Sequence, residues 1–419
     1  MDLIVNYSLY NRLWRISGLG MTQPETSAAP TLTNTQQEGL ERLRARFARL
    51  PDTRMAGRIQ HRLEDVLVIA FISILADNDA CTDMEAFARS QINWLRTFLP
   101  LENGAPSHDV FRNVLIALKP QSLLEIMTEW CGELSGTHIR IDGKTLRGSD
   151  SPAAGQGHVH ILRAWVHEAG ISAGHAACGE KTNELATLPL LLDALQLKGA
   201  TVSIDAMGCD GEIAAKIHDA GGGYLLALKG NQKSTLEAVS AHFQQLDTAM
   251  EAPGATLPAT HQRSESILRS HGRYEERICT VTSELDWYHK SWKWAGLQTL
   301  VRLERNTHRG GPREALSREV IYYLSTLPAD AAAHAALARA HWAVENGCHH
   351  VLDVTFGEDH CQMRDRNAAH NLSILRELTG RTLRRHLPKK SIRSKRKLAA
   401  MDPAFRLDLV ASTFHSPHA

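Results

Sequence analysis

Two short stretches decide the fold: His138-Ile-Arg-Ile-Asp142 and Thr201-Val-Ser-Ile-Asp205. Each alternates β-branched with polar residues and ends in an aspartate, so each reads as a strand with a carboxylate at its end. Between them lie two more strand candidates, 160–167 and 171–177, and a helical stretch, 184–195. After them come a helix over 211–220 and a strand over 224–228. The order is three strands, helix, strand, helix, strand, which predicts a mixed sheet with helices packed on it. Neighbouring strand ends in such a sheet set their side chains along one rim, where open sheets bind ligands.

On that rim Asp142 and Asp205 can share a hard cation. Mg²⁺ prefers oxygen ligands and keeps positions for water and phosphate oxygens, and two such ions ~4 Å apart suit phosphodiester chemistry. The plainer alternative is that both aspartates only end strands before turns. A third ligand is expected on a packed helix. Glu345, in Ala340-His-Trp-Ala-Val-Glu-Asn346, is the candidate. His341, Glu345 and His349 share one face of a long Ala-rich helix expected over 330–350. Asp353, Glu358 and Asp359 are lesser candidates past its end.

Outward from this centre, residues 38–134 read as a small all-helical domain, with helices over 38–50, 61–75, 83–98, 108–117 and 123–134. Seven arginines lie between Arg42 and Arg62. Residues 22–37, rich in Thr, Pro, Ala and Gln, extend the flexible lead-in expected for 1–37. The first twenty residues make no convincing signal peptide, and Met21 is expected to be the natural start. The catalytic domain spans 135–380 and includes a β-rich insertion over about 250–330, with strands at 276–282, 297–303 and 319–324. From 381 a basic tail runs to the end; its stretch 381–397 holds nine Lys or Arg and no Asp or Glu. Such a run can follow a DNA backbone by neutralising phosphates, which marks Arg384, Arg385, Lys389, Lys390, Lys395, Arg396 and Lys397.

Composition bounds the alternatives. The chain has 419 residues, 43% hydrophobic and 22% charged, which excludes a disordered protein. The net charge of +1 gives no global attraction to a polyanion. Seven scattered cysteines without a CxxC pair suit a reduced, cytoplasmic compartment. The most apolar run, 66–76, is too short to span a bilayer. His341, Cys348, His349, His350, His360 and Cys361 crowd one region, and a zinc site there is the rival from another class, although paired zinc spacing is missing.

Several segments occur in a telling order: Ile141-Asp-Gly-Lys-Thr-Leu-Arg-Gly148, Lys181-Thr-Asn-Glu-Leu185, Ile204-Asp-Ala-Met-Gly-Cys209, Tyr224-Leu-Leu-Ala-Leu-Lys-Gly-Asn-Gln232, His271-Gly-Arg273, Tyr322-Tyr-Leu-Ser325, His341-Trp-Ala-Val-Glu-Asn346 and Leu352-Asp-Val-Thr-Phe-Gly-Glu-Asp359. Together they resemble the insertion-sequence transposases related to the H-repeat-associated proteins of Rhs elements. The helical region resembles that family's associated domain through Asp52-Thr-Arg54, His61-Arg-Leu63 and Asn103-Gly-Ala-Pro-Ser-His108. The resemblance implies an RNase H-like core and an Asp-Asp-Glu metal site. Carried over residue by residue, that site falls on Asp142, Asp205 and Glu345. It also implies double-stranded DNA partners, namely terminal inverted repeats and target DNA, and two Mg²⁺ or Mn²⁺ ions in the active site. A dimer or larger assembly on DNA is expected because two ends must meet. Lys144, Arg147 and Lys229 are candidates for phosphate contact beside the metals; surface charge is the alternative. Departures from the family pattern at Cys348-His349-His350, Asp210-Gly211 and Gly223 leave a decayed DNA-binding copy as the alternative function.

Overall fold

The computed structural model describes residues 32–131, 133–134, 136–150, 152, 155–179, 183–270, 273–309, 317–342, 344–387 and 389–413. Met21, Lys181, Thr182, His271 and Gly272, named in the sequence reading, lie outside these residues.

Strands β1 (His138–Leu146), β2 (Val159–Val166) and β3 (Ile171–Cys178) form an antiparallel meander. Helix α7 (Glu184–Asp193) then leads to β4 (Thr201–Ile204), and α8 (Gly211–Asp219) leads to β5 (Gly223–Leu228). Both β4 and β5 run parallel to β1. The strand order begins β3-β2-β1-β4-β5, as an RNase H-like mixed α/β fold requires. Alternation sorts the faces. Ile139, Ile141, Val202 and Ile204 pack with Leu188, Leu191, Ile213 and Ile217 of α7 and α8. His138, Arg140, Asp142, Ser203 and Asp205 therefore point to the other face.

The expected β-rich insertion is present but is not a separate unit. After α9 (Lys233–Met250), strands β6 (His261–Ser270), β7 (Arg273–Thr282), β8 (Thr299–Arg309) and β9 (Ser317–Ser325) form antiparallel pairs. β9 then pairs with β5, so all nine strands make one sheet ending β5-β9-β8-β7-β6. β6 was not anticipated: Gln262, Arg263, Ser264, Glu265 and Ser266 give it no apolar alternation.

The helical region comprises α1 (Asn34–Phe47), α2 (Leu63–Leu75), α3 (Cys81–Ser90), α4 (Ile92–Leu95), α5 (His108–Ala117) and α6 (Pro120–Cys131). α1 begins inside the expected lead-in because Thr33 and Gln36 form a capping box. The helix expected over 330–350 is interrupted. α10 (Ala331–His341) stops, and two π-helical turns follow at Glu345–His349 and Val351–Thr355.

The expected basic tail is corrected as well. α11 (Arg366–Arg385), α12 (Ile392–Met401) and α13 (Pro403–Ser412) join the helical region in one hydrophobic core with Leu43, Phe71 and Met127. α13 lies so close to α1 that a Cβ on Gly39 would come within 2.5 Å of Ala411 Cα. Gln36 Nε2 also donates to Asp408 Oδ1 at 2.7 Å. No helix among the described residues is long and apolar enough to cross a membrane.

Candidate active site

The parallel pairing of β1 and β4 ends at Ile141–Ile204, so Asp142 and Asp205 are the next residues on adjacent strands. Asp142 was expected at the end of β1; instead the hairpin with β2 carries the strand on to Leu146. Asp205 caps the short turn after β4 by accepting from Met207 N–H at 3.0 Å. Asn231 Nδ2 donates to Ala206 O at 2.7 Å, and Gln232 Nε2 to Cys209 O at 3.1 Å. These side chains hold the Asp205 turn against the loop after β5, where Lys229 is exposed.

Glu345 and His349 come from the first π-helical turn, a local widening common at functional sites. His349 Nδ1 lies 3.4 Å from Asp142 Oδ2 and 3.8 Å from Glu345 Oε2. One potential ligand atom from each of Asp142, Glu345 and His349 lies within 4.8 Å of the others. The Glu345 side chain is 59% exposed, whereas His349 is buried.

Burial pushes the Asp142 carboxyl up to about 7, and the negative charges of Glu345, Asp205 and Glu184 push the same way. Burial pushes His349 down to about 3, helped by the charges of Arg163 and Lys144. Its imidazole is thus neutral, the form that binds metal, and its buried Nε2 has no hydrogen-bond partner among the described residues. A crowd of acids beside a neutral imidazole fits a divalent cation, with Asp142, Glu345 and His349 as the residues that would hold it.

Glu184, in the first turn of α7, stood out in the sequence only within a family segment and at the start of a helical stretch. Asn183 does cap that helix, accepting from Ala186 N–H at 2.9 Å. Glu184 also closes a chain beside Asp142: its Oε1 lies 2.6 Å from His160 Nε2, and His160 Nδ1 lies 2.9 Å from Thr145 Oγ1. A Cβ on Gly143 would come within 2.4 Å of Glu184 Oε1 and 2.6 Å of His160 Nε2, so a side chain there would displace this pair. Beneath the rim, Ser203 Oγ bridges His138 Nε2 at 2.6 Å and His341 Nδ1 at 2.8 Å.

The predicted cationic residues divide. Lys144 is buried and donates to Asp353 at 2.5 Å and Asp359 at 3.2 Å, so its charge is already matched. Arg147 is 78% exposed, with one ion pair to Asp359 at 3.4 Å. Arg384 donates to the carbonyls of Gly170 and Gly347 and lies over the Trp165 ring. Lys395 donates to Leu383 O and His386 O. Arg396 bonds Ile74 O, Thr355 O and Asp79, and pairs with Asp77. Lys395 and Arg396 are buried, which corrects their assignment to a DNA-facing run. Arg385 is half-buried; Lys389, Lys390 and Lys397 are exposed. Cys348, His360 and Cys361 join no cluster of potential metal ligands among the described residues.

Comparison with known proteins matches this architecture. Residues 44–131 match the family described as DDE_Tnp_1-associated, and residues 135–379 match the transposase DDE domain. The chain is 31% identical over 369 residues to "Putative transposase YncI" of Escherichia coli O157:H7, covering 87% of this chain and 93% of that protein. It is 31% identical over 384 residues to "H repeat-associated putative transposase YhhI" of Escherichia coli (strain K12), covering 89% and 99%. A short relative, "Inactive transposase YbfQ" of the same strain, is 28% identical over 18% of this chain and 90% of its own. Use of a divalent metal goes with such a domain. The chain belongs to the DDE transposase family, in the group that includes the H-repeat-associated proteins.

Proposed function

We propose that this transposase binds the terminal inverted repeats of its own insertion sequence, cleaves DNA strands there and transfers them to target DNA. Asp142, Asp205 and Glu345 are its catalytic carboxylates, with His349 beside them. The observation that carries this reading is the geometry of the rim: Asp142 and Asp205 follow the last paired residues of adjacent parallel strands, and one ligand atom from each of Asp142, Glu345 and His349 lies within 4.8 Å of the others. When bound, two Mg²⁺ or Mn²⁺ ions supply activation of the attacking oxygen and stabilisation of the leaving one.

The protein's own groups do the positioning. Asp142 and Asp205 are fixed by adjacent strands, and Glu345 projects from a turn anchored by the burial of Cys348 and Leu352. Lys144, held between Asp353 and Asp359, fixes the segment after Glu345 to β1. Arg147 and Lys229 remain available to steady a backbone phosphate near the rim. Lys389, Lys390 and Lys397, with Arg385 beside them, offer a second, sequence-independent phosphate contact. Two DNA ends must be joined in one event, so the working assembly is a dimer or larger on DNA, and the chain acts where bacterial DNA lies, in the cytoplasm.

The test is cleavage of a labelled duplex carrying the element's own end, in Mg²⁺, Mn²⁺ or chelator, by wild type and Glu345→Gln. Expected is metal-dependent nicking at the repeat end that falls at least ~100-fold in the variant. Specific binding with no cleavage by wild type overturns the enzymatic reading in favour of a decayed copy. Equal cleavage by both proteins removes Glu345 from the site.

A further inference from the structure

A second set of ligand groups lies away from the carboxylate rim, where α9 meets the base of the β6–β7 hairpin. His242 comes from α9, His261 opens β6, and Glu284 follows the end of β7. The two imidazoles present Nε2 to Nε2 at 3.3 Å, with ring planes 16° apart. A carboxylate oxygen of Glu284 completes a set whose atoms all lie within 4.8 Å of one another.

A contact of 3.3 Å lies just beyond the usual ~2.7–3.2 Å range of N–H hydrogen bonds. Two nitrogens ~2.0–2.1 Å from one tetrahedral zinc stand ~3.3–3.4 Å apart. The surroundings also hold the rings as an outer shell holds metal ligands. Thr260 Oγ1 lies 3.0 Å from His261 Nδ1 and 3.4 Å from Glu284 Oε2. His242 stacks on Trp287 at 4.4 Å and 8°, and Trp287 Nε1 donates to Glu284 O at 2.9 Å. The site opens on a cavity of about 570 Å³ bordered by Gln245 and Pro258, through which an ion and a water can enter.

We propose that His242, His261 and Glu284 form a transition-metal site for Zn²⁺, distinct from the carboxylate centre, with water as the fourth ligand. Two imidazoles and one carboxylate select zinc over Mg²⁺, which demands oxygen ligands. The ion ties α9 to β6. β6 is an edge strand of the sheet and carries polar residues along most of its length. The metal supplies the anchorage that its side chains lack.

Zn²⁺ titration of the full chain, read by equilibrium dialysis and thermal melting, tests the proposal. It is run on wild type, His242→Ala, Glu284→Gln and the double variant Asp142→Asn/Glu345→Gln. One zinc equivalent should survive in the double variant. It should disappear in His242→Ala and weaken at least ~10-fold in Glu284→Gln, an exposed position whose change spares the fold. Co²⁺ should quench the Trp287 fraction of the fluorescence in wild type, and Trp287→Phe should bind Zn²⁺ while losing that fraction. Full zinc binding by His242→Ala and Glu284→Gln, or its loss only in the double variant, overturns the proposal while leaving the carboxylate reading intact.

Discussion

Asp142 and Arg163 face each other across the β1–β2 register, yet the charges around them are arranged in opposite ways. Arg163 is fully buried and pairs with Glu377 at 2.8 Å and Glu358 at 3.2 Å. It donates to Ser373 Oγ at 2.6 Å, while His175 approaches Glu377 at 2.9 Å. His175 and Arg163 hold Glu377 well below the usual carboxylate range despite its burial. Around Asp142 the neighbours are Glu345, Asp205 and Glu184, all of the same sign. The fold therefore balances buried charge where the charge is structural. On the rim it leaves a surplus of one sign, and such a surplus marks a site prepared for an ion of the other.

The largest expected effect breaks the balanced side. Arg163→Met strands Glu358 and Glu377 in the interior and should lower unfolding stability by about 3–5 kcal/mol. Chemical denaturation measures it, and a loss below about 1 kcal/mol would mean that water reaches the network.

A smaller effect of opposite sign is expected on the rim. Asp142 has its folded pKa raised from 3.8 to about 7. Its contribution to stability is therefore fully present below the unfolded value and is lost as pH rises through about 7. At pH ~8 in chelator, Asp142→Asn should stabilise the protein by on the order of 1–3 kcal/mol, and the gain should vanish near pH ~4. Added Mn²⁺ should reverse the ranking by stabilising wild type more than the variant. Melting curves across that range check the sign; a destabilised variant at pH ~8 would remove the surplus-charge argument.

The smallest effect separates position from charge. Arg147→Ala, on a side chain 78% exposed, should change stability by less than ~0.5 kcal/mol. It should nevertheless weaken DNA binding and reduce its salt dependence by about one counterion. An unchanged salt slope would take Arg147 off the DNA path.

The core strands were legible because their alternation records a sheet with two unlike faces: Ile139 and Ile141 inward against α7 and α8, Asp142 toward the rim. Asp142, Asp205 and Glu345 could be singled out because each follows or sits among apolar residues. Glu184 and His160 could not. Their proximity to Asp142 depends on how α7 returns across β2, and the only local sign was a glutamate just after a capping Asn183. Lys395 and Arg396 misled because a run of like charge resembles a solvated face. Arg396's acidic partners, Asp77 and Asp79, lie more than 300 residues earlier in the chain, and Lys395 turns inward to the carbonyls of Leu383 and His386. The interrupted helix after α10 was hidden for another reason: Ala-rich sequence favours helix but does not show where the hydrogen-bond register slips.

The contact between α1 and α13 bears on how the chain is made. α1 ends at Phe47 and α13 at Ser412, so at ribosomal speed the second arrives roughly 20–70 s after the first. Until then the Gly39 face of α1 lacks the helix that covers it. The nine-stranded sheet, by contrast, has all its strands once Ser325 has emerged. Maturation thus runs from the middle of the gene outward, and a message cut short between Ser325 and α13 yields a complete sheet joined to an unfinished helical half.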